Sequence, residues 1–164
     1  MAQDAPFIDA IRRDAEPDVA RLIYADWLDD RGAGARAEYL RLLTQLKELW
    51  TTLANESDAP HRLQYVEPIA RATLRLRELC NSIEREWLAQ VHRGKVKKCD
   101  YSSREQPACP SLWEKLEDTD SPLVRRCGQC DDRVNFCFSW SEAEQHKRTV
   151  MMPMHPEDFS PFRQ

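Results

Sequence analysis

Through the first 90 residues, apolar side chains return at steps of three and four, the period of an amphipathic helix. Phe7, Ile8 and Ile11 make one short face behind Pro6. Pro17 and Asp18 suit the first turn of a second helix: a missing N–H is harmless there, and a carboxylate meets the positive end of the dipole. Val19, Leu22, Ile23 and Trp27 share one apolar face of that helix, and Gly32 marks its stop. Tyr39, Leu42, Leu43, Leu46, Leu49, Trp50 and Leu53 pattern a third helix over 35–53. After a loop at "NESDAPH", Pro68 is expected to open a fourth, carrying Ile69, Leu76, Leu79, Cys80, Ile83 and Trp87. The fold class expected is mainly α, with an N-terminal bundle of about four helices over residues 1–92.

The helical period stops at "HRGKVKK" (92–98), and five of the six cysteines follow: Cys99, Cys109, Cys127, Cys130 and Cys137. Cys127 and Cys130 stand in "CGQC", and the run after them places Val134, Phe136 and Phe138 in strand-like alternation. A C-x-x-C turn supplies two thiolates to one zinc ion, with bonds of about 2.3 Å, and leaves two ligands to be found. A thioredoxin-like dithiol instead needs the pair at a helix start, where the dipole activates one sulfur. A turn leading into a strand favours the metal. Residues 99–140 also hold little apolar sequence, and small domains of that kind generally need a staple. The expectation is a zinc-ribbon-like α+β module over 93–150, followed by a tail, 151–164. Ser141 and Glu144 have the spacing of a capping box before a short helix that carries His146.

Two stretches resemble known families. Phe7, Ile11, "RLIYADWLDDRG" and "AEYLRL" are similar to the bacterial repeat-companion domain over about residues 6–90. The resemblance implies a helical interaction module with no catalytic residues to carry over, although no repeat array follows here. Arg21, Asp26, Trp27, Asp29, Asp30, Arg31 and Glu38 belong to that signature; they read either as cross-helix pairs around a core tryptophan or as a recognition surface with Trp27 as its anchor. "CPSLWEKLEDTDSPLVRRCGQCDDRVNFC" resembles a bacterial zinc-ribbon-like segment over about residues 109–146. That resemblance implies Cys109, Cys127 and Cys130 as ligands and Trp113 and Leu116 as packing residues. Cys137 is the fourth ligand in one form of the pattern, His146 in another, and Cys99 is the outside candidate. Cys80, on an apolar helix face, reads as core.

Composition narrows the function. The 164 residues are 41% hydrophobic and 32% charged, with a mean hydropathy of −0.70, and no apolar run approaches the ~20 residues of a membrane span. The N-terminus is acidic and unlike a secretory signal, so the expected location is cytoplasmic, where cysteines serve metals or thiol chemistry. "GAGARA" (32–37) fits a relaxed dinucleotide fingerprint, but a helix rather than a strand precedes it, which makes it an inter-helix turn. No phosphate loop, nucleophile motif or small-molecule site is evident, so the chain reads as a non-enzymatic adaptor with a structural zinc ion and a protein partner. The alternative is a nucleic-acid binder using Arg93, Lys95, Lys97, Lys98, Arg125 and Arg126, with Trp113 or Tyr101 for stacking; the net charge of −4 weighs against it. The tail from Met151 to Phe162 reads either as a loose end or as a linear docking peptide.

Overall fold

Proline and glycine punctuation sets the helices of the N-terminal part. In the computed structural model, which describes residues 3–96, 112–146 and 148–151, Pro6 stands in the first turn of α1 (Ala5–Arg13). Pro17 precedes α2 (Asp18–Asp29). Gly32 takes the left-handed conformation at φ 72°, which closes α2 and lets α3 (Gly34–Asn55) begin at once. Within "GAGARA", Gly32 and Ala33 turn the chain between two helices, and Gly34 to Ala37 already belong to α3. α4 runs from Ala59 to Cys80, so Pro68 lies inside it and Pro60, not Pro68, stands in its first turn. An interior proline costs about 3 kcal/mol. Packing offsets that cost, since Ile69, Ala72, Leu76 and Leu79 are all buried. The protein is mainly helical with a small four-stranded sheet, and it divides into two compact units that part between Ile83 and Glu84.

In the first unit each helix packs on its chain neighbour, and α3 contacts both α2 and α4. Leu46, Leu53, Ile69 and Ala72 form a core cluster, with Leu42, Leu49, Trp50 and Tyr65 against it. α2 differs from its expected orientation. Its buried residues are Arg21, Tyr24, Ala25 and Leu28, whereas Val19, Leu22 and Ile23 are exposed. Aromatic stacking decides the matter: Phe7 of α1 lies flat on Tyr24 at 5.0 Å and tilted on Trp27 at 5.1 Å, which turns the aliphatic stripe outward. Ion pairs then tie the helices together. Arg41 reaches Asp26 and Asp29, each at 2.7 Å, Lys47 reaches Asp18 at 2.6 Å, and Arg75 reaches Glu38 at 2.7 Å.

The second unit starts at Glu84, ahead of the break read from the sequence at 92/93, and α5 (Arg85–Val91) belongs to it: Arg85 pairs with Glu142 and lies over the Phe138 ring at 4.1 Å. Trp113, fully buried in a 3-10 turn (Trp113–Lys115), donates its indole N–H to the Ala89 carbonyl at 2.7 Å. Ala89 lies in the last turn of α5, where carbonyls lack intrahelical donors, so the indole caps the helix. Phe136 meets His92 edge-on at 5.0 Å and Trp113 at 5.4 Å. The sheet has the order β1 (Glu117–Asp118), β2 (Val124–Arg126), β3 (Arg133–Cys137), β4 (Thr149–Met151); β4 is parallel to β3 and the other pairs are antiparallel. Before α6 (Trp140–Glu144) the cap is Ser139 with Glu142, not Ser141 with Glu144. Ser139 Oγ accepts from the Glu142 amide at 3.1 Å, and Glu142 accepts from the Phe138 amide at 2.7 Å. Burial opposes its charge, yet the Phe138 amide and Arg85 hold the Glu142 carboxyl below its usual value.

Candidate metal centre

Antiparallel pairing of Arg126 with Arg133 leaves residues 127–132 to turn the chain, and both thiols of "CGQC" lie in that turn. The Cys127 amide donates to the Asp132 carbonyl at 3.0 Å, and the Asp131 amide donates back to the Cys127 carbonyl at 2.8 Å. Asp131 takes the left-handed conformation at φ 57° to make that closure. At Gly128 space, not dihedral freedom, matters: a Cβ would stand 2.7 Å from Glu117 Oε1, whose carboxylate is paired with Arg126. The pair therefore sits at the tip of a β-hairpin, away from any helix start, so the dipole that activates a redox dithiol is missing from the turn.

Cys127 is buried and Cys130 half-buried. Arg148, only 2% exposed, immediately precedes β4 and reaches back to the turn. Its Nη1 donates to Cys130 Sγ, and its Nη2 meets Asp132 Oδ2 at 2.8 Å. The Arg148 carbonyl is fixed in turn by the Asn135 amide at 3.1 Å. Sequence reading missed this residue, because nothing local in "HKRTV" distinguishes Arg148 from a surface arginine; only the parallel β3–β4 pairing brings it to the thiols.

The other expected ligands divide. Cys109 and Cys99 lie outside the described residues. Cys137 is kept away from the pair. It ends β3, five residues beyond Asp132, and at about 3.3 Å per residue the strand carries it about 16 Å from the turn. Zinc thiolates must come within about 4 Å of one another. Cys137 instead packs on Ala143 and donates to the Asn135 carbonyl at 3.6 Å. His146 follows α6 and is half-buried. Among the described residues no three His, Cys, Asp or Glu side chains assemble as a metal-binding group, and neither Cys137 nor His146 is gathered with the pair there. Two thiols on a tight turn, with a guanidinium donating to one sulfur, fit half of a tetrahedral thiolate centre. Cys80 is a different case: half-buried at the end of α4, its thiol is pushed up to about 11 by burial.

The basic residues expected to meet nucleic acid are largely engaged within the unit. Arg125 is buried; it donates to the Trp113 carbonyl at 2.7 Å, lies over the Trp113 ring at 4.4 Å, and reaches Asp118 at 3.3 Å. Trp113, fully buried, offers no face for stacking a base. Arg126 pairs with Glu117 and Asp131, and Arg93 with the buried Glu114. Lys95 is exposed, whereas Lys97, Lys98 and Tyr101 lie outside the described residues. In the first unit, Arg31 covers the half-buried Trp27 at 3.7 Å, beside an open cleft lined by Gln3, Asp4, Leu28 and Arg36. No helix among the described residues is long and apolar enough to cross a membrane. Compared with known protein families, with curated proteins and with solved structures, the chain matches none.

Proposed function

We propose that this chain is a non-catalytic adaptor of the cytoplasm: a helical unit resembling the repeat-companion domain, joined to a unit stapled by structural zinc, that binds another protein. The observation that carries the metal reading is the hairpin tip, where Cys127 is buried and Cys130 accepts from a buried arginine. Cys127 and Cys130 form one half of the ligand set; Cys109, with Cys99, supplies the other half, since Cys137 stands at the far end of β3. A closed four-thiolate site leaves no open position for substrate or water, which is the arrangement of a structural ion. The ion would cross-link a turn to a distant segment and stabilise the folded unit by its own binding free energy, because the site does not exist in the unfolded chain. The half-buried Trp27, its cationic cover and the adjoining cleft support a protein partner for the helical unit. A nucleic-acid role draws less support, because Arg125, Arg126 and Arg93 are spent on internal partners.

Native mass spectrometry with metal analysis tests this reading. One zinc per chain is expected, lost in Cys127→Ser and Cys109→Ser but retained in Cys137→Ser. A zinc-free wild type, or full retention in Cys127→Ser, would contradict it.

A further inference from the structure

Burying an arginine is costly unless its donors meet strong acceptors, and Arg148 is almost fully enclosed. Asp132 meets one arm of the guanidinium at 2.8 Å and holds its plane. The other arm points at Cys130 Sγ. A neutral thiol is a weak acceptor, whereas a metal-bound thiolate is a strong, charged one. The geometry also spans the fold: Arg148 enters from the parallel strand β4, while both of its partners belong to the β2–β3 turn. We infer that Arg148 is the positioning residue of the metal site, donating to the zinc-bound Cys130 thiolate, fixing its direction, and offsetting the negative charge of the thiolates in the turn. The inference rests on the zinc reading and goes beyond it by assigning a residue that no cysteine spacing would indicate. Asp132 is the third member, orienting the guanidinium as carboxylates orient metal-ligating side chains elsewhere.

The same contacts couple metal to strand. With zinc bound, the start of β4 is anchored to the turn through Arg148 as well as through pairing with β3. Loss of the ion weakens the acceptor and with it that anchor.

The test uses the full-length chain as Arg148→Met, Arg148→Lys and wild type. Zinc affinity is read by competition with a chromophoric chelator, the thiolate-to-metal charge-transfer bands after cobalt substitution, and thermal stability with and without metal. Arg148→Met is expected to bind zinc about 10- to 100-fold more weakly, the range found for lost outer-shell partners, and to shift the cobalt bands. Arg148→Lys, which keeps the charge and one donor, is expected to recover part of the affinity and remains interpretable if the methionine variant fails to fold. Equal affinity and identical cobalt spectra in all three proteins would overturn the inference while leaving the zinc site standing. An equal loss of stability in the metal-free proteins would make Arg148 merely structural and would also overturn it. A wild type that binds neither zinc nor cobalt would instead remove the metal reading itself.

Discussion

Trp113→Phe is the substitution that most directly asks what holds the second unit together. The indole is fully buried, its N–H caps the Ala89 carbonyl at 2.7 Å, and its ring touches Phe136 and the Arg125 guanidinium. Phenylalanine keeps part of the ring but deletes the donor. A buried carbonyl left without its partner costs about 1–3 kcal/mol. Losing the five-membered ring removes about 1 kcal/mol of apolar burial, and the space left behind adds to the loss. The total is about 2–4 kcal/mol. For a unit of this size each kcal/mol moves the melting temperature by about 4–8 °C, so a drop of about 10 °C or more is expected. Calorimetry of the full chain with zinc added, with near-ultraviolet circular dichroism as a second probe, would resolve that transition. The hydrogen bonds described for Trp113 all lie within the second unit, so the first unit's transition should stay in place. A drop of similar size is expected after chelation, because the tryptophan and the thiol turn are separate features whose effects should add. A shift under about 2 °C would mean that this aromatic packing does not support the unit, and the reasoning would fail.

Two further outcomes follow from the first unit. Burial raises the Cys80 thiol from 9.0 to about 11, so the folded chain keeps a proton that the unfolded chain has lost between those values. The stability this group contributes is therefore whole below about pH 9 and falls away as pH rises towards 11; pulsed alkylation with peptide mapping should find Cys80 protected at pH 8, and rapid labelling there without denaturant would refute it. Leu40→Ala, at a fully buried position of α3, should cost about 2–5 kcal/mol in urea unfolding, while Ile23→Ser on the outer face of α2 should stay within about 0.5 kcal/mol. Equal losses at the two sites would show that α2 is turned the other way.

Much of the helical unit was legible because local rules and tertiary demands agree there. Pro6, Pro17 and Gly32 act within a single turn of chain, and the three-and-four spacing of Leu46, Leu49 and Leu53 has one consistent burial solution against α4. The reading failed where two local solutions competed. α2 carries both an aliphatic stripe and an aromatic one, and only contact with Phe7 on α1 favours Tyr24 over Ile23. Likewise Ser139 and Ser141 both precede a glutamate by three residues, and the place where β3 ends selects the first.

The turn around "CGQC" is a property of sequence: a tight C-x-x-C turn leading into the alternating run of Val134, Phe136 and Phe138 brings Cys127 and Cys130 together within six positions. What surrounds that turn is not. Cys137 is close to the pair in sequence but is carried away by the rise of a strand, while Arg148, far more distant along the chain, is returned by a parallel pairing. Arg125 reads as a surface cation, yet it is enclosed because the Trp113 carbonyl and Asp118 accept its donors. Local sequence set the turns and the faces on offer; long-range strand pairing and aromatic packing chose which of those faces the protein buries, because their energies depend on partners that no short window contains.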